Sequence, residues 1–348
     1  MSTTSGTGLS KIALLAALTC VACGGGDAPE AGVAVVDSPH VALLTAGPVS
    51  DAGWYAGGYD GLLMVRDSLP AVVSNQETKT PAEYDEAFRA YAGEKYDLVF
   101  AHGFEYQDAA LRAGQAFPDM KIIVSGGDTV TANVIPVLFS LEDAAYLAGI
   151  AAAGMTKIGV LGMVGGVQIP AAEDVFKAFD AGAKSVNPSV RVLEAWIGSW
   201  DDVSAAKEAA VAQIRQGADV VIHDTDAASF GVFQAVREAV AAGDTVWAMG
   251  MNSDQNQIAP EVTLGSAVIR VPQAFLEVAR LWRAGQLGGK PIFLGMSEGV
   301  VDYVANPAVA ERIPQDLVEK IDQARRAILS GELDVPSSSS IRGAPAGG

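Results

Sequence analysis

One alternation, run through twice, constrains this chain more than any other feature. Strand-length apolar runs take turns with segments of helical pattern. The first pass reads as strands at 41–46, 71–73, 97–101, 121–124 and 134–139. Helices are expected after residue 51, at 81–94, up to 116, and at 141–155, the last rich in Ala and Gly and suited to close packing. The helix at 81 has the clearest start, with Thr80 as cap, Pro81 at its first position and Glu83 in its first turn. Near residue 157 the pattern restarts, with strands at 158–161, 190–196, 219–222 and 245–249 and helices at 171–186, 203–216 and 229–242. An extended segment at 262–271, a helix at 273–284, a strand pair within 292–304 and a helix at 314–329 complete it. Strands that alternate with helices need parallel sheets covered on both faces. Two α/β units are therefore expected, duplicated in architecture rather than in sequence.

The two ends read differently. Lys11 precedes an apolar run, residues 12–22, which is too short to span a membrane. Small residues before Cys23 and glycines after it resemble a bacterial lipoprotein signal, with 1–22 removed and Cys23 acylated. An ordinary signal peptide with an incidental Cys is the alternative. Residues 23–39 are small, acidic and Pro-containing, a flexible tether, and 331–348 read as a disordered tail. Both cysteines lie at this N-terminal end, so the folded part is expected to have no disulfide and no thiol nucleophile. The net charge of −18, from 41 acidic and 23 basic residues, argues against nucleic acid as a partner.

The residues able to carry chemistry sit where strands run into loops, the place where open α/β sheets bind ligands. They are Asp51, Trp54 and Tyr55; Gly103 and Phe104; the segment 125–128, with Asp128; the segment 165–169; Ser199 and Trp200; the segment 223–226, with His223, Asp224 and Asp226; and the segment 252–254, with Asp254. Asp51 suits a helix N-cap, and the helix it opens is expected to present free backbone N–H groups. Each residue also has a structural reading: Trp54 as core, Phe104 as a loop plug, and Asp224, Asp226 and Asp254 as caps. No catalytic motif is present: no GxSxG, HExxH, CxxC or P-loop, and no GxGxxG after the first strand. No cofactor and no metal are expected, since adjacent residues such as His223 and Asp224 rarely aim at one point.

Taken in order, the motifs resemble the basic-membrane-protein family of ABC-transporter substrate-binding lipoproteins, the purine-nucleoside-receptor type. The segment Asp51–Gly61 is similar to the family's opening DxxF/W motif, and 103–123 to its GF…FPD block. Residues 142–152 resemble its YLAG helix, 179–188 its GAK-x-x-NP segment and 197–202 its S-W/F-x-D loop. Residues 216–226 resemble its QGADV strand, 253–255 its D-Q loop and 264–270 its TS-x-x-K strand. The resemblance covers about residues 40–330. It implies an α/β fold of the type I periplasmic-binding-protein class, two Rossmann-like lobes joined by three crossing segments with a ligand cleft between them. We expect 40–139 plus 262–288 in the N-terminal lobe and 140–261 plus 289–330 in the C-terminal lobe.

The resemblance also implies no catalysis, a purine nucleoside or nucleobase as ligand, and an ABC permease in the inner membrane as partner. The protein would be lipid-anchored and face the periplasm or cell exterior. Trp54 matches the aromatic that stacks on the base, Asp254 the carboxylate that holds ribose hydroxyls, and Asp51 the opening Asp. Departures are Tyr55 in place of Asn, Ser125-Gly126-Gly127 in place of the base-edge Asp, and Ile269 in place of Lys. Arg270 lies one residue out of phase, which on a strand turns it to the opposite face. A sugar- or other heterocycle-binding lipoprotein of the same fold is the second reading, and a secreted nucleoside-processing enzyme the third.

Overall fold

The computed structural model describes residues 38–337. The expected signal segment, Cys23 and almost all of the expected tether lie outside the described residues. The first sheet begins with β1 (His40–Thr45), whose HVALLT sequence is buried along both faces. Helix α1 (Trp54–Ser68) leads to β2 (Val72–Glu77), α2 (Pro81–Gly93) to β3 (Leu98–His102), and α3 (Gln107–Ala116) to β4 (Lys121–Ser125) and β5 (Val134–Phe139). Thr80 and Glu83 form the capping box that the sequence suggests at α2. The chain then passes through α4 (Leu141–Met155) into the second half. There β6 (Val160–Gly165), α5 (Pro170–Val186), β7 (Arg191–Trp196), α6 (Val203–Arg215), β8 (Val220–Asp224), α7 (Ser229–Ala241) and β9 (Trp247–Asn252) repeat the plan. Strand β10 (Thr263–Ile269), α8 (Val271–Arg283), β11 (Ile292–Leu294), β12 (Val301–Ala305) and α9 (Gln315–Leu329) follow.

The strand orders are β11-β5-β4-β3-β1-β2 and β12-β10-β9-β8-β6-β7, the same winding twice. All pairings are parallel except β10 with β12. In each sheet the first strand and its third-strand neighbour lie side by side near the middle. Their C-terminal ends open on the crevice where such sheets receive ligands.

Two boundaries differ from the sequence expectation. Strand β10, expected in the N-terminal lobe, pairs with β9 and β12 in the second sheet, and only the following α8 returns to pack on α1. Strand β11, expected in the C-terminal lobe, pairs with β5 in the first sheet. The expected strand pair within 292–304 is therefore no pair: β11 and β12 belong to different sheets. The chain crosses between the sheets three times, at Ser140, at Arg270 and between Leu294 and Val301. The crossings are laced together, Ser140 N donating to Leu294 O at 3.1 Å and Arg270 N to Val300 O at 2.7 Å. At the other end, residues 331–337 are not loose: Val335 is buried and the Ser337 hydroxyl donates to Asp174.

Helix α4 is buried along almost its whole length against α5. A Cβ on Gly149 would collide with the Phe179 carbonyl, and one on Gly182 with the Tyr146 carbonyl. The two glycines let the backbones touch, the close packing that the Ala- and Gly-rich composition suggests.

Candidate functional site

The strand ends of both sheets border one cavity of about 350 Å³, inside the usual range for small-molecule sites of about 300–1,000 Å³. At the β1 corner, Asp51 is buried and its carboxylate accepts from three backbone N–H groups: Gly53 at 3.1 Å, Tyr55 at 2.9 Å and Ala56 at 2.8 Å. Burial pushes its carboxyl above the usual range while these bonds pull it back. The free amides expected at the start of α1 are thus taken by Asp51, and Asp51 does not line the cavity. Its role is to hold the first turn that carries Trp54.

The Trp54 indole lines the cavity and stacks on the His102 ring, centroids 3.9 Å apart and planes at 16°. Phe139 meets it edge-on at 5.8 Å. His102, at the end of β3, is fully buried. Its Nε2 lies 2.9 Å from the Trp54 carbonyl, which can only accept, so Nε2 carries the proton and Nδ1 accepts from the Ser125 hydroxyl at 2.8 Å. Desolvation lowers its pKa to about 3, so the ring is neutral. Gly58 makes room for it, since a Cβ there would lie 2.6 Å from His102 Cδ2. Tyr55 also lines the cavity, and its hydroxyl donates to Glu105 at 3.3 Å.

The opposite corner, after β8, is acidic. Asp224 and Asp226 are each 7% exposed and line the cavity. The Asn252 amide donates to both, at 3.3 Å and 3.1 Å. Burial pushes Asp224 up to about 6. Asp226 is raised well above the carboxylate range, first by burial and then by the charges of Asp224, Asp51 and Glu105. Trp200 borders the same space, and Gly166 lies flat beneath its ring where a Cβ would collide.

His223 is buried in β8 beneath this corner and does not line the cavity. Its Nε2 bonds Gln255 Oε1 at 2.8 Å, and desolvation lowers its pKa to about 4. Gln255 Oε1 also accepts from Met251 N. This fixes the amide so that Nε2 faces the Ala52 carbonyl across the cleft at 3.3 Å, where the Ser253 hydroxyl donates as well at 2.6 Å. His223 thereby positions a contact between the lobes.

Of the residues singled out from sequence, Trp54, Tyr55, Gly103, Phe104 and Asp128 line the cavity from the first lobe. Trp200, Asp224 and Asp226 line it from the second. Asp51 and His223 lie behind its walls. Asp254 is exposed and accepts from Asn256 N, away from the cavity. Arg270 is also outside it, donating to the Gly299 carbonyl and pairing with Asp302 at 3.6 Å, while its neighbour Ile269 faces in. The period-two alternation of the strand accounts for that exchange. Sequence reasoning did not single out Glu105, Glu142, Asp174, Phe139 and Phe293, which also line the space. Asn252, the first residue of the segment 252–254 expected from sequence, lines the cavity. Among the described residues no cluster of three or more His, Cys, Asp or Glu is placed to hold a metal.

The Ser125–His102 contact has the pairing of a nucleophile and its base, and Ser125 borders the cavity. The chemistry does not follow. The far imidazole nitrogen donates to a carbonyl rather than a carboxylate, and a ring with a pKa of about 3 is a poor base near pH 7. What the arrangement can do is stack a flat ring and accept hydrogen bonds from its edge.

Comparison with known proteins agrees with this layout. The family model for ABC transporter substrate-binding proteins of the PnrA-like type matches residues 38–339. A purine-binding protein of Brucella abortus is 29% identical over 299 residues, covering 84% of this chain and 82% of its own length. An ABC transporter nucleoside-binding protein of Lactococcus lactis is 26% identical, covering 94% of this chain and 98% of its own. Among solved structures, an ABC transporter solute-binding protein from Aeropyrum pernix superposes with a TM-score of 0.79 at 21% identity, covering 87% of this chain and 94% of that one. That likeness places the fold among the type I periplasmic binding proteins.

Proposed function

The chain belongs to the PnrA-like family of ABC transporter substrate-binding proteins, and from that premise we propose that it captures a purine nucleoside or nucleobase in the cleft and delivers it to a membrane permease. The observation that carries the reading is the Trp54 indole, held against the neutral His102 ring at 3.9 Å and facing buried carboxylates across the cavity. An aromatic wall takes any flat ring, with stacking worth about 1–3 kcal/mol per base. The acidic wall reads the ring's donors, because an analogue lacking one leaves a buried acceptor unpaired at about 1–3 kcal/mol.

The names of the Brucella and Lactococcus relatives support the purine or nucleoside class. The inward Ile269 and outward Arg270 remove a cation from the position where the family resemblance implies ribose support, which favours a ligand held chiefly by its base. We further propose that binding involves no turnover, that Cys23 bears a lipid anchor, and that the folded part faces the periplasm or cell exterior. Hinge closure about the three crossings would couple occupancy to the shape offered to the permease. No helix among the described residues is long and apolar enough to cross a membrane.

Calorimetry with adenosine, guanosine, inosine and their free bases tests the reading. Submicromolar to micromolar binding of at least one, with no base release, is expected. Failure of all of them to bind, or release of free base, overturns it. Cys23→Ser is expected to leave the membrane fraction; retention there places the anchor elsewhere.

A further inference from the structure

The loops after β1 and β9 are joined through one oxygen. The Ala52 carbonyl accepts from the Ser253 hydroxyl at 2.6 Å and from Gln255 Nε2 at 3.3 Å, 201 and 203 residues away in sequence. The two donors use both acceptor positions of that oxygen. Ala52 lies between β1 and α1 in the first lobe, and its partners follow β9 in the second. None of the three lines the cavity, yet residues beside them do: Trp54 comes two positions after Ala52, and Asn252 directly precedes Ser253.

A second, separate observation concerns the backbone. Among the described residues five that are not glycine have a positive φ, and two of them flank this contact, Ala52 at 55° and Asn252 at 67°. Side chains disfavour that left-handed region, and a residue stays there where its surroundings hold it. Ala52 is held on one side by Asp51, whose carboxylate binds the amides of Gly53, Tyr55 and Ala56, and on the other by the bonds from the second lobe. The donors are fixed in turn. Gln255 is buried, and its Oε1 is tied to Met251 N at 3.0 Å and His223 Nε2 at 2.8 Å, so its amide cannot turn away without losing both.

We propose that this contact is a latch that sets how long the closed cleft retains a ligand, with Ser253 and Gln255 as positioning residues that do not touch the ligand themselves. The proposal rests on the cleft being the binding site, and it adds a determinant of release. Opening the cleft draws the loop after β1 away from the loop after β9, so both bonds break on the way out and re-form on closure. Their energy enters the balance between open and closed forms, and apparent affinity follows the closed fraction. One hydrogen bond shifts such a balance about two- to tenfold. Because these bonds form after a ligand has entered, they act on release rather than on capture.

Small-angle X-ray scattering of the ligand-free protein and stopped-flow exchange of adenosine test the latch in Ser253→Ala and in Ser253→Thr, which keeps the hydroxyl. Native circular dichroism and thermal melting check that each is folded. Ser253→Ala is expected to have a larger radius of gyration than the parent protein, and Ser253→Thr an unchanged one. Adenosine release is expected to quicken about two- to tenfold in Ser253→Ala at an unchanged association rate, and Ser253→Thr to restore the slower release. An unchanged radius or an unchanged release rate in Ser253→Ala overturns the proposal. So does an affinity loss carried by the association rate, or release from Ser253→Thr as fast as from Ser253→Ala. If adenosine does not bind the parent protein, that counts against the purine reading and not against the latch, which the scattering then decides: a larger radius in Ser253→Ala but not in Ser253→Thr upholds it, and equal radii overturn it.

Discussion

The corner after β3 and the corner after β8 occupy the same place in two sheets of the same winding. Each has a buried histidine near its strand end, then a short 3-10 turn, Phe104–Tyr106 or Asp226–Ala228, then a helix. Both imidazoles are neutral at ordinary pH, lowered to about 3 and about 4 by burial. They differ in what they hold. His102 backs an aromatic ring, whereas His223 holds the Gln255 amide that reaches the Ala52 carbonyl in the other lobe. The groups left facing the cavity differ accordingly, an indole on one side and two carboxylates on the other. The duplicated scaffold therefore uses its buried histidines as neutral brackets and leaves the cavity wall to their neighbours. Under the proposed function, stacking and edge recognition are divided between the lobes, and neither lobe alone makes a complete site.

The largest effect that could break this comparison comes from the first bracket. His102→Ala removes a fully buried ring and leaves the Trp54 carbonyl and Ser125 hydroxyl unpaired. A loss of about 2–4 kcal/mol in denaturant unfolding is expected, together with weaker ligand binding because Trp54 loses its support. His223→Ala is expected to cost similar stability but less affinity. Equal affinity losses in both would mean that the two histidines do not divide their work as described.

Trp54→Ala comes next. The protein is expected to stay folded, since the indole is only partly buried. Affinity is expected to fall roughly 10- to 100-fold, the equivalent of losing one stacked ring at about 1–3 kcal/mol. Unchanged affinity by calorimetry would remove the indole from the site and leave the acidic wall to act alone.

The acidic wall should respond with the opposite sign in stability. The pKa of Asp226 is raised in the folded state, so its contribution is fully present below the unfolded value and is lost as pH rises through the folded one. At pH 7.5 the ligand-free protein therefore bears the cost of a buried acid whose pKa burial has raised above its unfolded value. Asp226→Asn is expected to stabilise it there by about 1–2 kcal/mol while weakening ligand binding. The gain should fade as pH drops toward 4, where the aspartate is itself neutral. Thermal melts of both proteins from pH 4.5 to 7.5 measure this; a stability loss at pH 7.5 would show that Asp226 is a structural group.

Much of the fold was legible because apolar runs and helix starts are local signals. The bounds of α4 and β5 follow the sequence reading closely. Lobe membership was not legible for β10 and β11, because a buried strand reads the same whichever sheet receives it. In the site, aromatic and acidic residues at strand ends could be picked out, since topology puts those ends on the crevice. Which of them touch the cavity could not. Asp51 illustrates why: a carboxylate before a helix serves equally to bind a ligand or to hold the helix's own amides, and only the coordinates show three amides on it. His102 gave no signal at all, because a lone histidine ending an apolar strand looks like core, and its role appears only through Trp54, 48 residues away in sequence.

The smallest expected effect is also the sharpest test of how far family resemblance extends to single residues. By that resemblance Asp254 holds a ribose. Here its side chain is exposed, accepts from Asn256 N two residues on, and does not border the cavity, whereas Asn252 does. The left-handed backbone at Asn252, with φ of 67°, turns the chain just before this point, so that the strand's last side chain faces Asp224 and Asp226 while the following ones leave the cleft. Asp254→Ala is therefore expected to change affinity by about twofold or less, the scale of a solvated charge outside the contact. Asn252→Ala should weaken binding more, because it strips both aspartates of their shared donor. A large loss in Asp254→Ala would mean that the loop swings inward when ligand arrives, and would place ribose recognition in the loop after β9.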